Sequence, residues 1–139
     1  PVAAIVLDGF GAFLGAALLA RNLDSLARRL VPRGRRQANV DAAARVAFYD
    51  LGISRTAGRS GLLVLVSTFE RACAVVPDVG VDVAALGAPW TKVVGELDAA
   101  ARVADFEAFL AALERLGPVL GATMPRAEDD VNELPDEVQ

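Results

Sequence analysis

Gly61-Leu62-Leu63-Val64-Leu65-Val66-Ser67, then Thr68-Phe69-Glu70, then Arg71-Ala72-Cys73-Ala74-Val75-Val76 is the stretch on which the fold turns. The first run is apolar without alternation, the pattern of a strand covered on both faces rather than one with a wet side. Thr68-Phe69-Glu70 is short and bears the polar groups of a tight reversal. Arg71–Val76 then reads as the second strand of a hairpin. Pro77-Asp78-Val79-Gly80 is a turn by residue type, and Val81–Val83 is expected to form a third short strand.

Helical patterns flank this hairpin. Upstream, Asn39 is a suitable N-cap, and Val40, Ala43, Ala44, Ala47, Phe48 and Leu51 recur at the spacing of one helix face, ended by Gly52. The loop Ser54–Ser60 joins that helix to the hairpin. Downstream, Pro89 sits where a helix likes to begin, and Trp90, Val93, Val94, Leu97, Ala101 and Ala104 line one face. A further helix from Asp105 carries Phe106, Phe109, Leu110, Leu113 and Leu116 at similar spacing, with Gly117-Pro118 expected to stop or kink it before Val119–Met124. Helix, strand, strand, helix, helix is an α/β layer arrangement. The reading is a small central sheet that includes the hairpin, flanked by helices and preceded by an apolar segment.

That segment, residues 1–20, holds one charge, Asp8. It reads either as a buried or surface-packed helix or as the end of a membrane segment that starts upstream. The chain opens on Pro1 rather than Met, as a fragment or processed form would. Asp8 is costly in a bilayer, and the clean run Gly9–Ala20 is short for a span. The residues that follow favour the membrane. Leu23, Leu26, Ala27 and Leu30 share a helix face opposite Arg21, Arg28 and Arg29, and Arg33, Arg35 and Arg36 extend the positive charge. An amphipathic basic stretch beside an apolar segment suits anionic lipid headgroups. The positive-inside tendency puts the following domain on the cytoplasmic side. Residues 1–20 are thus read as a transmembrane or membrane-packed helix, 21–38 as a basic amphipathic linker, 39–124 as the α/β domain and 125–139 as an acidic extended tail.

Net charge is −4 over 139 residues, but it is unevenly spread. Residues 21–59 hold nine Arg against three Asp, whereas residues 124–139 hold one Arg against six carboxylates. Opposite blocks point to different neighbours. The tail residues Asp129, Asp130, Asn132 and Glu133 are candidates for docking on the basic region of the same or a neighbouring chain. The tail lacks the spacing and glycine of a calcium hand. Nucleic acid is the weakest reading of the arginines, because no aromatics interleave with them and the isoelectric point is about 4.8.

The composition excludes much chemistry. The chain has no His, which removes Ser-His-Asp and Cys-His catalysis and imidazole metal sites. Its one cysteine, Cys73, permits no disulfide within the chain, and flanked by alanines in a strand it reads as a small buried hydrophobe. Trp90 reads as a core anchor. Oxygen-ligand chemistry is what remains. Glu70, Asp78 and Asp82, with Ser67, sit at strand ends and turns, where carboxylates converging with a hydroxyl could hold Mg²⁺ or Ca²⁺. The plainer alternative is that Glu70 pairs with a neighbouring Arg and Asp78 caps its turn. Arg55 and Arg59 could hold a phosphate or be solvated loop charges.

Taken in order, Ala47-Phe48, Gly52, Arg55-Thr56, Arg59-Ser60-Gly61-Leu62-Leu63, Val66-Ser67, Glu70-Arg71, Asp78-Val79-Gly80-Val81, Trp90, Gly117, Pro125 and the tail Asp129–Glu137 resemble the TPM domain family, in its bacterial membrane-linked branch. The resemblance covers residues 43–139. It implies a central sheet flanked by helices and, in some members, divalent cations bound at acidic loops by the hairpin. Plant thylakoid members have been assigned acid phosphatase activity and a role in photosystem II repair, and many bacterial members are tethered to membranes. Carried onto this chain, Glu70 and Asp78 match motif positions, and Asp82 is added by proximity. Family members often have a further strand ahead of the first helix of the domain. Residues 1–36 here have another character, so the sheet is expected to be reduced, or completed by another chain along an unpaired edge. The expected function is that of a membrane-anchored binding or assembly module, a subunit of a membrane complex. The alternative is a divalent-cation-dependent phosphatase with Arg55 on the phosphate.

Overall fold

The computed structural model describes residues 31–124, and the expectations for residues 1–30 and for the tail from 125 onward lie outside them. The chain divides into two units, 1–35 and 36–139, and the architecture that follows is that of the second. Helix α1 (Arg33–Asp50) and a 3₁₀ turn (Ile53–Arg55) lead into strands β1 (Leu62–Ser67) and β2 (Ala72–Pro77). Two long helices follow, α2 (Val83–Val103) and α3 (Phe106–Gly121). This is an α/β arrangement with a two-stranded antiparallel sheet. Among the described residues no helix is long and apolar enough to cross a membrane.

The hairpin register pairs Leu62 with Pro77, Val64 with Val75, Val66 with Cys73 and Ser67 with Ala72. Helices cover both faces of the sheet. Val40 and Ala44 of α1 pack with Ala72, Ala74, Leu63, Leu65 and Val76 on one face. On the other, Trp90, Val93, Leu97 and Ala101 of α2 and Phe109, Ala112 and Leu116 of α3 close over Cys73, Val64 and Val75. Side chains alternate between the faces, as a pleated strand requires, and both faces are apolar, which is why the sequence of β1 shows no alternation. The helices are nonetheless centred on β2. Ala72, Cys73 and Ala74 are buried, whereas β1 is half-buried along its length and Val66 is 44% exposed.

Two expectations are corrected. First, α1 begins at Arg33 rather than near Asn39, so Arg33, Arg35 and Arg36 are helical and do not form the expected break. Pro32 precedes the first turn, where its missing N–H costs nothing. Gly34 weakens that turn by about 1 kcal/mol, but Arg36 and Gln37 recover it in tertiary bonds to the Glu70 and Cys73 carbonyls at 3.2 and 2.9 Å.

Second, Val81–Val83 forms no strand. Val81 is buried beneath the turn, and Asp82 accepts a hydrogen bond from the Ala85 N–H at 3.0 Å, capping α2 and turning the chain into a helix at once. That helix starts ahead of Pro89 but breaks at Gly87, whose φ of 57° and ψ of −137° are accessible to glycine alone at little cost, and Pro89 follows the break. Of the outcomes expected at Gly117-Pro118, the helix takes the continuation: α3 runs through the pair to Gly121. Its buried side, Ala112 and Leu116 with Val119 and Leu120 packed beside them, holds the turn across the proline.

Candidate functional site

The polar groups singled out in the sequence lie at the two ends of the hairpin. At its tip, Ser67 closes β1 and Glu70 the reversal. The Ser67 hydroxyl donates to the Glu70 carboxylate and accepts from the Glu70 N–H at 3.2 Å. The Glu70 N–H on the Ser67 hydroxyl is one half of a helix capping box, Ser-x-x-Glu; the other half differs, because the Glu70 carboxylate takes the Ser67 hydroxyl proton and not the Ser67 N–H. Arg71 follows with φ of 51°, a left-handed conformation that lets the chain re-enter β2. The Arg36 guanidinium comes from α1 to donate to the Glu70 carbonyl at 3.2 Å, while its buried Nε finds no hydrogen-bond partner.

At the opposite end, Asp78 leaves β2. It is the one buried charged residue among those described, 5% exposed. Arg59 meets it in a fork, Nε to Oδ2 at 3.0 Å and Nη2 to Oδ1 at 3.1 Å, and the Val79 N–H donates to Oδ1 at 2.7 Å. Such a bidentate pair is the strongest ordinary form of ionic hydrogen bond. The Arg59 guanidinium beside Asp78 holds its carboxyl below the usual carboxylate range, against the opposing pull of desolvation, and the Val79 N–H adds to the lowering. Reciprocally, Asp78 raises the pKa of Arg59 through the same hydrogen bonds and charge.

The backbone that presents Arg59 is itself constrained. Its φ is 50°, and Gly80 N–H donates to the Arg59 carbonyl at 2.8 Å. A Cβ at residue 80 would lie 2.5 Å from the Gly58 carbonyl oxygen, so only glycine lets these two loops approach so closely.

The structure therefore brings Arg59 and Asp78 together and keeps the other candidates apart. Glu70 and Asp78 lie beyond opposite ends of β2, roughly 20 Å apart at the rise of an extended strand. Asp82 shares a turn with Asp78, but its carboxylate faces Ala85 N–H as a helix cap. Among the described residues no group of three or more Cys, Asp and Glu could hold a metal ion. For a cation to use Asp78 it would have to displace Arg59, and a phosphate on Arg59 would find Nε and one N–H of Nη2 already taken by Asp78. The Arg55 side chain is exposed on the same loop, with no hydrogen-bond or ionic partner among the described residues.

Cys73 is buried in β2, and desolvation, reinforced by the charge of Asp98, pushes its thiol up to about 11. Arg33 and Arg35 are exposed on the first turn of α1. Arg28, Arg29, Asp129, Asp130, Asn132 and Glu133 lie outside the described residues. Comparison of the chain with protein-family models, with curated proteins and with solved structures finds no match.

Proposed function

We propose that this chain is a membrane-anchored, TPM-like domain that acts as a binding or assembly module in a membrane complex. In this reading residues 1–20 enter the bilayer, Arg28, Arg29, Arg33, Arg35 and Arg36 lie on anionic headgroups, and the α/β domain sits on the cytoplasmic side. The observation that supports it is the engagement of the candidate chemical groups with one another. Arg59 is forked on Asp78, Glu70 is closed on Ser67, and Asp82 caps α2. Groups that hold a hairpin and its loops in shape make a rigid platform, and a platform is what an assembly module needs.

Vesicle flotation of the whole chain tests the reading. Binding is expected to phosphatidylglycerol vesicles in preference to phosphatidylcholine, weakened by salt. Replacing the five arginines by glutamine is expected to abolish the preference. Equal recovery with both lipids, or none with either, overturns the anchor. Calorimetric titration with Mg²⁺ and Ca²⁺ separates the module from a cation-dependent phosphatase. Heat at millimolar ion that disappears in Glu70→Gln or Asp78→Asn overturns the assembly reading in favour of the enzyme.

A further inference from the structure

The two edges of the hairpin are not alike. Asp78 N–H donates to the Gly61 carbonyl at 2.9 Å, and with the register this makes Leu63–Val76, Leu65–Ala74 and Ser67–Ala72 the hydrogen-bonded pairs of the ladder. The residues between them turn their N–H and C=O groups outward. On β2 these are Cys73, Val75 and Pro77, and that edge is guarded. Gln37 of α1 donates to the Cys73 carbonyl at 2.9 Å, and Pro77 has no N–H to offer.

On β1 the outward residues are Leu62, Val64 and Val66, and their backbone groups have no hydrogen-bond partner among the described residues. Among the described residues nothing blunts this edge. It carries no Pro, no Gly, no charge and no bulge over Leu62–Val66. A two-stranded sheet alone is marginal, and a flat apolar edge is a template for another strand.

From this geometry we infer that β1 pairs antiparallel with β1 of a second copy of the chain, making a four-stranded sheet in the order β2-β1-β1′-β2′. β1 is apolar and half-covered on both faces, and a strand that continues those two faces is expected to be apolar on both. Leu62–Val66 itself meets that demand. A two-fold axis at Val64 sets Val64 against Val64′ and Leu62 against Val66′, each pair exchanging two hydrogen bonds, so the free groups of both copies are satisfied at once.

The same register brings the exposed Val66 beside Leu62′ and runs the Phe69-Glu70 tip of one copy alongside the Gly58-Arg59 loop of the other. No like charges meet along the strands. The inference names the partner of the assembly module, yet it stands on the sheet edge and not on the lipid reading.

Light scattering on the whole chain in detergent, with the micelle contribution subtracted, reads the protein mass. The result expected is twice the 14.5 kDa of one chain. Val66→Lys places a charge on the edge, and Val64→Pro removes an outward N–H without touching the ladder. Each is expected to give a single-chain mass with the helical circular dichroism retained. Val75→Pro makes the equivalent change on the β2 edge and is expected to stay dimeric. In oxidising buffer Val64→Cys is expected to form a covalent dimer through its own two-fold pair, whose Cα separation of about 5.5 Å suits a disulfide.

A single-chain mass for the wild type overturns the inference. Slow amide exchange at Leu62, Val64 and Val66 in that monomer would give the edge to another segment of the same chain. A dimer that persists in Val66→Lys also overturns it, and would assign association to the apolar segment instead. If Val64→Pro loses its helical signal, Val66→Lys and the Val64→Cys crosslink decide. Monomers that still float with anionic vesicles refute the edge pairing and leave the membrane reading standing.

Discussion

Asp78 is buried and charged, and both of its oxygens are engaged, Oδ2 by Arg59 and Oδ1 by Arg59 and the Val79 N–H. Its carboxyl titrates lower in the folded chain than in the unfolded one. The stability it contributes is therefore present above the ordinary aspartate range and lost as pH falls through the lowered folded value. Asp78→Asn should lower the melting temperature at neutral pH and flatten its acid limb; thermal melts from neutral pH down into the acid limb measure both. A variant whose acid limb keeps the wild-type slope would show that other carboxylates carry it. At Cys73 the same reasoning runs the other way. A buried thiol with pKa raised to about 11 has almost no thiolate at neutral pH, so iodoacetamide should label it slowly in the folded protein and rapidly in denaturant. Both positions were noticed in the sequence, Cys73 correctly as a small buried hydrophobe. The fork between Arg59 and Asp78 was not, because the residues are 19 apart and each had a plausible role alone.

At the scale of elements, the capping residues govern where helices begin. Asp105 accepts from the Ala108 N–H at 2.9 Å and Asp82 from the Ala85 N–H at 3.0 Å. Each replacement by alanine should cost about 1 kcal/mol, read from urea denaturation with unchanged m-value. If Asp82 held a cation instead, its replacement would change stability only when Mg²⁺ or Ca²⁺ is present, so the same series run with and without the ion separates the two roles. Asp105 was legible in the sequence as the start of its helix, and both strands fell within a residue of their places. Less legible was the start of α1. Gly34 and Pro32 look like a break by local preference, whereas the bonds from Arg36 and Gln37 to the hairpin backbone lie 34 and 36 residues away. The third strand failed for a related reason: Val81–Val83 has strand-forming residues, but a cap at Asp82 starts a helix before any strand could pair.

For the whole molecule, the core is built on α2, and Leu97 is its most deeply buried large side chain. Leu97→Ala should cost roughly 2–5 kcal/mol, a large share of the 5–15 kcal/mol typical of a domain, and should leave the chain partly unfolded at physiological temperature by circular dichroism. The periodic apolar stripes, the two apolar runs and the helix start at Asp105 were enough to determine an α/β chain of helix, hairpin and two helices, since each is a local pattern whose stability depends on neighbours within a turn or two. Absence of His and disulfide was equally readable, being a matter of composition. Tertiary structure alone decided which charges meet, that Glu70 and Asp78 stand at opposite ends of a strand, and that the helices settle over β2 and leave β1 as an open edge. Those outcomes depend on groups far apart in sequence and on how much of each strand a helix can cover, and no local preference carries that information.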